Sequence, residues 1–277
     1  MIERSQLGPA IDVRGLFPNE RSALLTLLGE LTAADWDRAT VCPGWTVKDV
    51  TAHVLHDDLR RLASMRDGHQ GLRPAAGEPL AAFLDSANQE WVAAARCLST
   101  RQLVELLALT GEHVAAMWLA LDPDADGAAV SWAGLEAAPV WLDAARELSE
   151  YWTHQQQVRD ATGRPGLTDR AWLAPVLETF LRALPSTLRD TGADPGTQVQ
   201  VTVTGAAPMP WVTTRQDKGW VLHRDDVEHP AATVEVDGDT LWRLCTRNIT
   251  PRRPARARVH GERPLADQVL QIVSIVR

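Results

Sequence analysis

Cysteine is scarce: Cys42, Cys97 and Cys245 stand far apart, and no CxxC pair occurs. That excludes a disulfide-built scaffold and a zinc-ribbon site, and it fits a reducing, cytoplasmic setting. Lysine is scarcer still, with Lys48 and Lys218 the only ones among 28 basic side chains. Alongside abundant alanine, that bias reads as GC-rich codon usage before any functional signal. No apolar run approaches a membrane span, and the N-terminal MIERSQLGPAIDVRG lacks a signal-peptide apolar stretch, so no membrane partner is expected. A positive balance is missing as well. The formal net charge of -8 speaks against nucleic acid as a partner. HExxH, GxSxG, P-loop and GxGxxG frames are absent, which leaves zincin, hydrolase, NTPase and Rossmann readings without support.

What is present suffices for a packed core. Hydrophobic residues make up 45% of 277, a length that suits two domains. A Gly/Pro-rich break at TGADPGT, around Gly192–Gly196, divides the chain into residues 1–192 and 197–277. Charge divides there too: residues 197–277 hold 11 basic and 9 acidic side chains, against 17 and 27 before them. Helical spacing dominates the first part, with helices expected over 19–31, 46–62, 80–98, 101–121, 146–163 and 169–190, the last bent at Pro185. A Pro/Gly/Asp-rich passage, 122–139, interrupts them as a long loop. Several long helices with mostly short connections describe an antiparallel helical bundle. After Gly196 the period changes to two. TQVQVTV alternates, WVTTRQDKGWVLHR reads as two strands around a turn, and AATVEVDG ends at a helix cap. GDTLWRLCTRN then looks helical, ARARVHG reads as a strand, and 265–275 as a last helix. The fold class is an all-α domain followed by a small α+β domain on a mainly antiparallel sheet.

Two helical motifs carry the chemistry. Thr46 is an N-cap with Asp49 at N3, and Trp45 and Val50 occupy staple positions. On the helix that follows, Val47, Val50, Val54, Leu55 and Leu62 form the buried stripe, with His53 at its edge. In RELSEYWTHQQQVRDATGRP the helix ends at Gly163, and Asp143, Glu147, Glu150, His154 and Gln157 share one stripe. Glu150 and His154 stand one turn apart and can grip one cation, although a solvated polar face has the same pattern. Glu147 is an alternative carboxylate; His56, Asp57 and His113 read as surface or supporting residues, and Cys42 as small packing. From Arg247 to Arg263 six arginines (247, 252, 253, 256, 258, 263) face one acid, Glu262. They make either a solvated loop or a carboxylate clamp.

CPGWTVKDVTAHV and E-x3-H-x2-Q-V-R-x-A-x-G together resemble the mycothiol-dependent maleylpyruvate isomerase family, within the DinB-like superfamily. The resemblance implies an N-terminal DinB-like antiparallel four-helix bundle that binds a divalent metal, usually zinc, ahead of a small α+β domain. It also implies His53, Glu150 and His154 as the metal ligands and favours Glu150 over Glu147. Mycothiol is the implied cosubstrate. Arg247 is the closest match to an arginine the family uses at its active site. Many relatives have Asp where this chain has Gln157; an amide can hold a ligand imidazole but cannot offset the metal's charge. Two imidazoles and one carboxylate leave a tetrahedral zinc one open position, as catalytic sites do. The resulting expectation is a metal-dependent enzyme in which an activated mycothiol thiolate attacks a small electrophile. S-transfer is preferred, with cis–trans isomerisation of the maleylpyruvate type as the alternative and a non-catalytic metal- or thiol-binding protein as the rival. The molecule is expected to be a monomer or homodimer.

Overall fold

The computed structural model describes residues 2–135, 137–225, 227–248 and 257–274. By contact the chain divides into two compact units. One comprises Val13–Asp122 with Glu147–Gly166; the other comprises Met1–Asp12, Pro123–Arg146 and Leu167–Val276. The Gly192–Gly196 break marks the change of periodicity but lies inside the second unit, because the helices just before it pack with the sheet.

The first unit is helical. It contains α1 (Phe17–Gly29), α2 (Ala33–Trp36), α3 (Val47–Arg61), α4 (Leu80–Ala95), α5 (Thr100–Ala120) and the later part of α6 (Val140–Thr162). The capping box at α3 forms as the sequence predicts: Thr46 Oγ1 accepts from the Asp49 amide at 3.3 Å, and the Asp49 carboxylate accepts from the Thr46 amide at 3.0 Å. α6 stops at Gly163, whose φ of 66° is the left-handed cap that glycine adopts without strain. α1 packs on α5, α5 on α3, and α3 on α4. α6 bonds to α1 and α3 through buried side chains, including Gln155 to Glu20 and Tyr151 to Asp58. α5 is the one described helix whose length and composition would suit a membrane span. Here Leu103, Leu107, Val114 and Trp118 on it are core residues.

Polar groups also fill this core. Arg21 donates to both Asp58 oxygens at 2.5 and 2.8 Å, Thr110 Oγ1 donates at 2.5 Å, and the Tyr151 hydroxyl at 2.7 Å. Gly111 makes room for that guanidinium: a Cβ there would stand 2.5 Å from Arg21 Cγ.

The second unit is built on a sheet. After α7 (Arg170–Leu181) and α8 (Leu184–Thr187) come β1 (Gln198–Thr204), β2 (Met209–Gln216), β3 (Gly219–His223) and β4 (Ala232–Asp237). α9 (Gly238–Cys245), β5 (Ala257–Gly261) and α10 (Arg263–Val269) complete it. The single helix expected over 169–190 is broken between Leu181 and Leu184, with Pro185 in the first turn of α8, where a missing N–H costs nothing. Strand order is β3-β2-β1-β4-β5. The sheet is mixed: β1 and β4 pair in parallel, whereas β1–β2, β2–β3 and β4–β5 are antiparallel. The parallel pair arises because the β2–β3 hairpin occupies one side of β1 and the returning chain joins the other.

Alternation is the reason these segments pair as strands. Val199, Val201 and Val203 of β1 and Val234 and Val236 of β4 are buried, with partly exposed residues between them. Gly238 opens α9 where α7 crosses it; a Cβ would meet Leu173 at 2.8 Å. The 122–139 passage is not an empty loop. Val130, Ala133, Leu135 and Ala138 form a core cluster with Ile2, Leu7, Trp141 and Leu142. The last helix is shorter than the expected 265–275: α10 ends at Val269, and Ser274 is tied by its amide to the Cys245 carbonyl and by its hydroxyl to that of Phe180.

Candidate metal centre

His53 projects from α3, and Glu150 and His154 project from α6. One ligand atom from each converges with the others within 4.8 Å. Among the described residues no other group of three His, Cys, Asp or Glu side chains meets so closely. Glu150 Oε1 stands 3.0 Å from His154 Nε2 and 3.8 Å from His53 Nε2, and the imidazole centroids are 4.7 Å apart at 80°. Both histidines are more than nine-tenths buried.

The surroundings orient these groups. Gln157 Oε1 lies 2.8 Å from His154 Nδ1, placed to accept from that nitrogen in the tautomer that presents the Nε2 lone pair to a cation. The same oxygen accepts from the half-buried Cys42 thiol at 3.2 Å. Trp45 lays its ring 5.2 Å from that of His53, and its indole N–H donates to Gln89. Asp57, one turn beyond His53, brings Oδ2 to 3.4 Å from His53 Nε2. Glu147, the alternative carboxylate, is engaged by Arg61, whose Nε and Nη2 both lie 2.9 Å from its Oε2. His56 turns away to stack on Trp91, rings 5.0 Å apart.

Proton affinities follow from this packing. Burial would raise the Glu150 carboxyl, but hydrogen bonds and positive charge from His154 and His53 outweigh it and hold the group below the usual carboxylate range. Burial works against a charged His154, yet Cys42 and Glu150 together lift it well above the ordinary imidazole value. Burial raises Asp57 to about 6 against the pull of His53, with Glu147 and Glu150 adding to the rise. Burial lowers His56 to about 4, helped by the charge of Arg60.

This donor set fits a divalent cation. Two imidazoles with an anionic carboxylate between them supply three ligands of the types zinc takes and leave a fourth position open. The structure thus brings together His53, Glu150 and His154. Arg247 lies in the other unit, just after α9, with φ of 59° and Nη2 donating to the Gln271 carbonyl at 2.9 Å. Of the other clamp candidates, Arg258 is on β5 and Arg263 begins α10, whereas Arg252, Arg253 and Arg256 lie outside the described residues. Sequence reasoning left Asp57 and Cys42 as supporting or packing residues; the i, i+4 spacing from His53 was the available signal for Asp57.

A helical unit with a convergent His–Glu–His set, alongside a unit on a five-stranded mixed sheet, defines the class of this protein. The model of the mycothiol maleylpyruvate isomerase N-terminal domain matches residues 17–159, and the chain belongs to this family of enzymes. The fold is similar to a crystal structure of a mycothiol-dependent maleylpyruvate isomerase. That likeness has 14% identity and a TM-score of 0.55, over 91% of this chain and 94% of that one. An alanine-for-histidine mutant of a mycothiol-dependent maleylpyruvate isomerase matches at 13% identity with the same TM-score and coverage. No curated protein matches the sequence.

Proposed function

We propose that this chain is a divalent-metal enzyme that uses mycothiol to isomerise a small, electrophilic, conjugated substrate of the maleylpyruvate type. The observation that carries this reading is the convergence of His53, Glu150 and His154 within 4.8 Å on a chain of this family. A bound divalent ion, zinc being the one this donor set suits best, would deprotonate a coordinated thiol that is otherwise only a few per cent ionised at neutral pH. The chemistry such a thiolate would supply is reversible addition to a conjugated double bond, which permits cis–trans isomerisation.

The chain's own residues do the rest. His53 and His154 would offer neutral nitrogen to the cation, Glu150 would offset its charge, and Gln157, accepting from His154 Nδ1, would keep the Nε2 lone pair turned toward it. Arg247 is proposed to pair with a substrate carboxylate through its planar guanidinium. The family match favours isomerisation over the S-transfer that the sequence alone led us to prefer, since its named reaction is the isomerisation. The donor trio also argues against a protein without catalytic chemistry.

The test is metal content together with turnover. Wild-type protein should hold about one divalent ion per chain, should lose most of it in His154→Ala, and should isomerise maleylpyruvate only when mycothiol is added. Full occupancy in His154→Ala would sink the ligand assignment. Metal-loaded protein that turns over no conjugated substrate with mycothiol would sink the reaction.

A further inference from the structure

We propose that Asp57 is a fourth protein donor to the metal centre, holding the position that His53, Glu150 and His154 leave open until a thiol displaces it. The inference rests on the metal reading above and assigns a residue that reading leaves idle.

Geometry carries it. Asp57 follows His53 by one turn of α3, and its Oδ2 lies 3.4 Å from His53 Nε2. Two ligands of one tetrahedral zinc with bonds of about 2.0–2.1 Å stand roughly 3.4 Å from each other. The neighbouring donor separations, 3.0 Å for His154 with Glu150 and 3.8 Å for His53 with Glu150, bracket the same value. Asp57 stands outside the group of three that converge within 4.8 Å, so its carboxylate, which already reaches His53, must swing toward the cation to bind it.

Charge and hydrogen bonding point the same way. The adjacent carboxylates have guanidinium partners, Arg21 for Asp58 and Arg61 for Glu147. Asp57 has only His53 as an ion-pair partner among the described residues, although its side chain is just 15% exposed. A largely buried carboxylate needs a cation or hydrogen-bond donors. The two ligand imidazoles also differ in support. His154 Nδ1 is held by Gln157, whereas His53 Nδ1 is buried with no hydrogen-bond partner among the described residues. The His53 ring is therefore steadied by Trp45 and, on the metal side, by Asp57. A thiolate is the softer ligand and the better match for zinc, so exchanging carboxylate for sulfur runs downhill.

The experiment uses full-length protein loaded with cobalt(II) as the probe, comparing wild type with Asp57→Ala and Asp57→Asn. Without thiol, Asp57→Ala should bind cobalt about tenfold or more weakly in chelator competition, and its visible spectrum should differ from that of wild type. After mycothiol is added the two spectra should converge, because the carboxylate has left. Asp57→Asn keeps the side-chain shape and carries the same comparison if the alanine variant folds poorly. Unchanged affinity and spectrum before thiol, or spectra that remain apart after it, would overturn the assignment while leaving the trio intact. Wild-type protein that takes up no cobalt would instead overturn the metal reading itself.

Discussion

Replacing Gln157 by leucine removes the amide oxygen and nitrogen while roughly keeping the volume, and the structure says where the cost of the lost oxygen falls. Gln157 Oε1 is the acceptor for His154 Nδ1 at 2.8 Å, on an imidazole that is 8% exposed. With a cation on Nε2 the proton must stay on Nδ1, and in Gln157→Leu that buried donor has nothing to bond. The penalty for an unmet buried donor is about 1–3 kcal/mol. Without a cation the ring can release the Nδ1 proton and keep the one on Nε2, donated to Glu150 3.0 Å away, escaping most of the penalty. Nearly all the cost therefore falls on the metal-bound state. Metal affinity should drop by roughly 10- to 100-fold, the range typical of lost outer-shell partners. Competition titration with a chromophoric chelator reads this directly. Gln157→Glu keeps an acceptor and adds charge, so its affinity should equal or exceed that of wild type. Cys42→Ala serves as the control, since Cys42 shares the same oxygen. Wild-type affinity in Gln157→Leu, or a loss in Gln157→Glu as large as in the leucine variant, refutes the argument.

Two further outcomes are expected. Burial holds the Glu20 carboxyl up at about 7 from an ordinary 4.5, so the native state keeps a proton the unfolded chain has lost, and stability falls as pH rises between those values. Glu20→Gln should leave stability unchanged near pH 4 and raise it by about 3 kcal/mol at pH 8; a pH-independent gain in denaturant melts would show the reasoning wrong. Arg247→Ala should retain its metal while turnover falls roughly 10- to 150-fold, the cost of one charge-assisted contact made in the transition state. Arg247→Lys should recover only part of that. Unaffected turnover would reduce Arg247 to its contact with the Gln271 carbonyl.

Much of this was legible from the chain because the signals are local. Thr46 and Asp49 are three residues apart, so their reciprocal bonds need no tertiary information. Gly163 ends α6 for backbone reasons alone. The alternation of β1 and β4 survives intact in the burial of Val199, Val201, Val234 and Val236. What escaped is non-local. α6 reads as an amphipathic helix with a polar stripe, yet Thr153 and Gln155, off that stripe, are 1% and 0% exposed. Their partners come from far away in sequence, as when Gln155 meets Glu20 across 135 positions. The 122–139 passage reads as loop because Gly, Pro and Asp break up its apolar residues, of which Val130, Ala133, Leu135 and Ala138 nonetheless join Ile2 and Leu7 in a core. Arg182 escaped for the same reason. Its buried guanidinium lies over the rings of Trp141 and Trp211, partners no local pattern announces.

The buried polar groups of the helical unit bear on the candidate site through register. Asp58 follows Asp57 on α3, and Tyr151 follows Glu150 on α6, so each partner in the Asp58–Tyr151 bond adjoins a residue of the site. Arg61 and Glu147 make a second link between the same two helices, one turn away. Apolar packing alone tolerates small slides between helices, since it is non-directional. A hydrogen bond of 2.7 Å and an ion pair of 2.9 Å do not tolerate them. A slide of one residue along α6 moves each side chain 1.5 Å along the axis and about 100° around it, enough to separate Glu150 from His53. Removing one partner from a buried pair costs about 3–5 kcal/mol, so the register that sets His53 against Glu150 is held by far more than the site's own contacts. The polar interior of this unit is thus part of the geometry by which three donors meet within 4.8 Å.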